Sequence, residues 1–169
     1  MALYMIPNGP SPTTAAQVPV TTGTSIKTLL QVKASATATC KIREWGVSFD
    51  GSAAATPIKC ELLETDVAAT VTASAAADIV ELDAAALANG DPTTNLFPVG
   101  TTSTGYTASG EGSITATRVF DAQLVAPTNQ YVKQFPLGAE PIIQISKFAR
   151  IRVTAGAAVN AYAYMIVEV

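Results

Sequence analysis

The carboxylates are the side chains of this sequence best suited to catalysis or metal binding, because the sequence contains no histidine. Without histidine, neither a Ser-His-Asp triad nor a Cys-His pair can form. A pair of carboxylates is sufficient for glycoside hydrolysis, and a denser group can bind calcium. The candidates are Glu61, Glu64, Asp66, Asp78, Glu81, Asp83 and Asp91. None of these segments has the pattern of a calcium-binding loop, and thirteen acids bring some together by chance. We therefore expect solvated carboxylates, no metal, no cofactor and no enzymatic activity.

Lys147, Arg150 and Arg152 form the only local basic cluster. The net charge of −3 and the lack of a basic run argue against nucleic-acid binding. In a strand, Arg150 and Arg152 share one face, opposite Ile151 and Val153. Two interpretations stay open for this face, namely a solvated polar surface or a contact with an acidic protein surface. Under the second interpretation, Arg150 and Arg152 bind a partner.

The two cysteines, Cys40 and Cys60, lack the CxxC spacing of a zinc or redox site. They are also too few for a disulfide scaffold. A free cysteine behaves as a small apolar residue, so the sequence predicts two reduced, buried thiols.

The elements that position these residues are predominantly strands. Between 25 and 169, segments rich in β-branched and aromatic residues alternate with Gly, Pro, Asn and Asp turns. This pattern predicts eight to ten short strands in an all-β, jelly-roll-like β-sandwich that forms a single body. Asp78 and Glu81 make a capping pattern that favours one short helix over 79–88. The glycine-rich stretch 89–112 predicts a long exposed loop.

Residues 1–24 differ from the body, because prolines punctuate the segment and no charged residue precedes Lys27. The prolines are Pro7, Pro10, Pro12 and Pro19. They exclude a helix or a central strand, and they favour an extended N-terminal arm. An uncharged arm can be covered without burying unpaired ions, so the arm is expected to lie against its own body or a neighbour and to bind a partner through its prolines. Deleting it is expected to leave the body folded.

The last strand is apolar on both faces. Tyr162, Tyr164 and Ile166 lie on one face, and Ala161, Ala163, Met165 and Val167 lie on the other. Such a strand is expected in a central position or in contact with another subunit. Tyr162 and Tyr164 are therefore candidate contacts in a homo-oligomer.

Three segments together resemble small structural proteins of tailed-bacteriophage heads. They are Lys41–Gly51 (KIREWGVSFDG), Gln134–Pro141 (QFPLGAEP) and Ala149–Ala155 (ARIRVTA). The resemblance is to capsid decoration (cement) or minor capsid proteins, and it covers most of the body. It implies a β-sandwich without catalytic residues, often trimeric, that binds major capsid protein subunits on the capsid exterior. It also implies synthesis in the host cytoplasm. In keeping with this, no apolar run in the sequence is long enough to span a membrane.

Other functions stay open at this stage. Within the virion, the alternative is a tail, collar or fibre component. From a different class, the alternative is a bacterial carbohydrate-binding or adhesin-like β-sandwich. Such a module is expected to display aromatic side chains in a loop, and 89–112 offers only Phe97 and Tyr106.

Overall fold

A computed structural model describes residues 2–51, 56–83 and 96–169. The described strands are β1 (Leu3–Pro7), β2 (Val20–Thr21), β3 (Ile26–Lys33), β4 (Cys40–Phe49), β5 (Ile58–Thr65), β6 (Thr70–Ala73), β7 (Val80–Glu81), β8 (Gly105–Gly110), β9 (Thr117–Val125), β10 (Gln130–Gln134), β11 (Ile142–Ile143), β12 (Phe148–Thr154) and β13 (Asn160–Glu168). One short 3₁₀ turn, Ala76–Asp78, precedes β7.

These strands form two sheets that pack face to face. Sheet A has the order β10-β4-β13-β1-β7, with β11 also paired to β4 and β2 also paired to β13. Sheet B has the order β6-β8-β3-β12-β5-β9. Every pairing between these strands is antiparallel. The all-β sandwich expected from the sequence is confirmed.

Alternation along the strands places the core between the sheets. In β13, Ala161, Ala163, Met165 and Val167 are buried, while their neighbours point out of the sandwich. Trp45 on β4 is fully buried and packs edge-on against Tyr131, with ring centroids 5.4 Å apart. The expectation of a central position for the last strand is confirmed, because β13 lies between β4 and β1.

The N-terminal segment is not a separate arm, and the boundary predicted at residue 25 is wrong for its first residues. Leu3–Pro7 forms β1, which is inserted between β13 and β7. Tyr4 and Ile6 are buried in the core. Pro7 is tolerated because it ends the strand. Farther along, Val20–Thr21 pairs with β13, so this segment lies against its own body.

The helix predicted over 79–88 is not formed where the structure describes it. Asp78 accepts a hydrogen bond from the backbone N–H of Ala75 at 2.9 Å and so closes the 3₁₀ turn. The chain then becomes extended, because Ile79 is buried and Val80 pairs with Met5 of β1. Residues 84–88 lie outside the described part of the chain.

The exposed loop predicted over 89–112 is also corrected within 96–112. Gly105–Gly110 forms β8, and Phe97 is fully buried against Tyr4, with ring centroids 5.4 Å apart. Gly105 is required here, because a Cβ at this position would collide with the backbone of Thr72 on β6. Phe97 is therefore not an aromatic platform for a carbohydrate.

Both cysteines are free and buried, Cys40 in sheet A and Cys60 in sheet B. Burial raises the pKa of both thiols to about 12, and the nearby carboxylates of Glu64 and Glu61 add to this. Because the thiolate is the reactive form, we expect no alkylation of the folded protein at about pH 8. Two alkylated cysteines per chain are expected after urea unfolding without reductant. Mass spectrometry checks both states, and an adduct on the folded chain would contradict the burial of the thiols.

Candidate interaction face

The outer face of sheet A, meaning the side that points away from sheet B, carries several apolar side chains. Alternation turns Tyr162, Tyr164 and Ile166 of β13 to this side, because their neighbours fill the core. In the register, Tyr164 of β13 and Val132 of β10 lie opposite Gly46 of β4, one on each side of it. Ile166 lies opposite Met5 of β1. Val132 is 48% exposed. The result is a row of apolar side chains from β10, β13 and β1, in which the Tyr164 ring covers β4 at Gly46.

Tyr164 lies flat across β4 because its neighbour on that strand is Gly46. Any Cβ at Gly46 would overlap the Tyr164 ring. The phenol O–H donates a hydrogen bond to the carboxylate of Glu44, one pleat farther along β4. Burial raises the pKa of Tyr164 to about 12, and the Glu44 carboxylate contributes. The phenol therefore stays protonated and holds Glu44 in place.

An open groove of about 520 Å³ lies at the Glu44 end of this face. Strands β1, β4, β10 and β13 form its floor, and the turn after β10 forms one wall. The lining residues are Leu3, Arg43, Glu44, Leu82, Gln134, Phe135, Leu137, Ile166 and Glu168. The groove is thus mainly apolar, with a few charged side chains at fixed positions.

Leu137 is the most exposed large apolar side chain of the described residues, at 86%. It lies in a tight turn closed by a 3.0 Å hydrogen bond from the Ala139 N–H to the Pro136 carbonyl. Gly138 has a φ of 86°, which this type of turn requires and glycine adopts without strain. The turn therefore presents a fixed apolar side chain at the rim of the groove.

The charged side chains of the groove are unequally paired. Arg43 forms ion pairs with Glu140 and Glu168. Glu44 accepts hydrogen bonds only from neutral groups, the Tyr164 phenol and the Gln134 amide, the latter at 2.5 Å. Within the described part of the chain, no Lys or Arg forms an ion pair with Glu44.

The residues predicted to bind a partner are separated by the fold. Tyr162 and Tyr164 lie on the outer face, and the Tyr162 phenol donates to the carbonyl of Gln17. Pro7 is buried, Pro19 is half-buried, and Pro10 and Pro12 are exposed. Ser11 is also tied to the body, through a 2.8 Å hydrogen bond from its N–H to Asp78.

Arg150 does not lie on an exposed strand face, contrary to the sequence prediction. Its side chain is 0% exposed, because the segments after β5 and β8 cross over the outside of sheet B. It donates to the Glu111 carboxylate at 3.2 Å and to the backbone carbonyl of Val67. Burial lowers the pKa of the Arg150 guanidinium, which Glu111 opposes. Arg150 therefore connects two chain segments and is not presented to a partner.

Arg152 is only partly exposed and is also paired internally. Its guanidinium lies 3.0 Å from the Glu61 carboxylate, which Lys59 contacts at 2.8 Å. These contacts help to keep the pKa of Glu61 low, against the effect of its burial. The basic cluster predicted from the sequence is thus largely neutralised by acids of the same chain.

Glu64 and Asp66, two of the acidic candidates, are engaged by other groups of the chain. Glu64 pairs with Arg118 at 2.6 Å, and Asp66 accepts hydrogen bonds from Thr115 and Ala116 that lower its pKa to about 2. Among the residues that the structure describes, no group of three or more Cys, Asp or Glu side chains is arranged to hold a metal ion. Asp91 lies outside these residues. In the same ranges, no helix is long and apolar enough to cross a membrane.

Sequence reasoning identified the two tyrosines of this face but missed Glu44, Val132 and Leu137. One signal for Leu137 was available, since a large apolar residue between Pro136 and Gly138 lies in a turn that is expected to be exposed. Glu44 and Val132 carry no such signal, because their position depends on the pairing of β4 with β10.

Assignment of a function depends on the chain's own residues, since no protein-family model, curated protein or solved structure matches it.

Proposed function

We propose that this protein is a non-enzymatic structural component of a tailed-phage virion. In this role it decorates the capsid exterior by binding major capsid protein subunits through the outer face of sheet A. The observation that carries the proposal is the apolar row from Val132 to Met5, which meets the groove beside Leu137 at Ile166. The resemblance of Lys41–Gly51, Gln134–Pro141 and Ala149–Ala155 to capsid decoration proteins supports the same role.

The character of the face favours protein docking over small-molecule binding. Single exposed apolar residues are common on soluble proteins, but a contiguous apolar patch usually marks an interface. Here Val132, Tyr162 and Leu137 are all substantially exposed. The groove is shallow and open, so it suits side chains of a partner better than an enclosed ligand.

A lattice partner also explains why one modest face is sufficient. A capsid presents many copies of the same site. If the protein is the trimer that the resemblance implies, several weak contacts act together and raise the avidity by about 10²–10⁴. Decoration therefore does not require a single high-affinity pocket.

The proposal is tested by placing a charge on each sheet in turn. Val132→Asp puts a carboxylate into the apolar row, whereas Val119→Asp changes an equally small valine on β9 of sheet B that is 57% exposed. We expect Val132→Asp to reduce co-sedimentation with undecorated capsid shells at least about tenfold, because the buried charge would be unpaired. Val119→Asp is expected to sediment like the wild type.

Both variants should unfold at the wild-type temperature, because both valines point away from the core. Light scattering on the same preparations reports the oligomeric state. Loss of shell binding in Val119→Asp alone would move the docking surface to sheet B. A wild-type chain that does not sediment with shells would overturn the proposed function.

A further inference from the structure

We propose that the groove receives an extended segment of the partner protein in which apolar side chains flank one lysine or arginine, and that this cation pairs with Glu44. The inference rests on the proposed function, since it specifies the chemistry of the partner at the same face. In this arrangement the apolar walls supply the affinity, and Glu44 selects a segment that carries a basic residue.

The contacts of Glu44 leave its negative charge uncompensated inside the chain. Tyr164 donates to one carboxylate oxygen and Gln134 to the other. Both donors are neutral, and each carboxylate oxygen keeps a free lone pair. The two hydrogen bonds fix the orientation of the carboxylate without satisfying its charge.

The neighbouring cations are not available to Glu44. Arg43 forms ion pairs with Glu140 and Glu168, so two acids already share its guanidinium. Lys41 is opposite Glu168 in the register and lies three residues from Glu44, about 10 Å along the strand. The groove therefore carries an excess of negative charge that is concentrated at Glu44.

The apolar walls of the groove make the Glu44 carboxylate selective for a cation. Ile166, Phe135 and Leu137 surround Glu44 with apolar surface. A partner that covers the groove removes water from the carboxylate, which is unfavourable unless a cation replaces the water. Phosphate or an acidic peptide would be repelled, and a purely apolar segment would leave the carboxylate unpaired. A segment with one basic residue between apolar ones pairs with the Glu44 carboxylate and also covers the apolar walls.

The test compares Glu44→Gln with Asp50→Asn in binding to undecorated capsid shells. Each substitution removes one negative charge. Glu44 lies within β4, whereas Asp50 is exposed and directly follows the last residue of that strand. Glutamine keeps an oxygen that accepts the Tyr164 hydrogen bond. At about 50 mM salt, we expect Glu44→Gln to bind about tenfold more weakly than the wild type. At about 500 mM salt, the difference is expected to shrink, because the ion pair is screened.

Asp50→Asn is expected to match the wild type at both salt concentrations, and Glu44→Lys is expected to abolish binding. Wild-type binding by Glu44→Gln at both salt concentrations would overturn the inference. If Val132→Asp still fails to bind in that case, the proposed function stands. If Glu44→Gln instead changes the molar mass in light scattering and leaves shell binding intact, the groove holds a second copy of this chain and the inference is wrong.

Discussion

A chain that lacks residues 1–24 is expected to lose its cooperative unfolding transition. The deletion removes β1, whose Tyr4 and Ile6 are buried and whose backbone pairs with both β13 and β7. Truncating one such core side chain costs about 2–5 kcal/mol. Loss of the whole strand also leaves an edge of β13 unpaired, and the sum approaches the total stability of about 5–15 kcal/mol of a typical domain.

The experiment uses urea unfolding followed by the fluorescence of Trp45, the only tryptophan and a fully buried one. Ile6→Ala is expected to lower the free energy of unfolding by about 2–4 kcal/mol. Val18→Ala, at a position 70% exposed in the same segment, is the matched control and is expected to change it by less than about 0.5 kcal/mol. A wild-type transition in the truncated chain would show that β1 is dispensable.

Arg150→Met is expected to lower the free energy of unfolding by about 3–5 kcal/mol. Methionine fills most of the space of arginine, but it leaves the Glu111 carboxylate without its cation and the Val67 carbonyl without its donor. Arg152→Met is the control, because Glu61 keeps Lys59 as a second partner. We expect it to cost about 1 kcal/mol.

The double variant Arg150→Met/Glu111→Gln separates the buried charge from the lost packing. Removing the uncompensated carboxylate is expected to recover part of the stability. Glu111 also accepts hydrogen bonds from the N–H and hydroxyl of Thr28, each at 2.6 Å, so the recovery is expected to be incomplete. Equal stability of Arg150→Met and Arg152→Met would contradict the role of Arg150 as the link between the two segments.

The sequence was sufficient to predict the long strands, because their composition is a local property. Ile26–Lys33, Cys40–Phe49 and Asn160–Glu168 are rich in β-formers, and all three lie in the part of the chain for which strands were predicted. β1 was missed for a physical reason. Its outward residues Leu3 and Met5 are as apolar as its inward ones, so no alternation distinguishes it.

The helix over 79–88 failed for a different reason. Asp78 does not cap a helix that follows it; its carboxylate accepts a hydrogen bond from the Ala75 N–H and closes the single 3₁₀ turn that ends at Asp78. Burial of Ile79 and the pairing of Val80 with Met5 then outweigh the helical preference of the alanines that follow. Tertiary contacts of this kind have no signal in a short sequence window.

The candidate interaction face could be predicted only in part. The apolar alternation in β13 indicated Tyr162 and Tyr164, because both lie in one strand. Glu44 and Val132 join them through strand register, which the sequence does not specify. The exposure of Arg150 was predicted wrongly, because alternation indicates only which side of the sheet a residue faces. It does not show that other segments cover that side.

The pairing of β13 with β1 and β4 also determines when the outer face of sheet A is completed during synthesis. β13 is translated after every other described strand, yet it is the strand that joins β4 to β1 in sheet A. Leu3 pairs with Glu168, so the contacts that complete this sheet span nearly the whole chain, and folding of such a non-local topology is expected to be slow. A nascent chain that has not yet released β13 from the ribosome has neither Tyr164 nor Ile166 in place. The outer face of sheet A is therefore complete only in chains whose synthesis has passed β13.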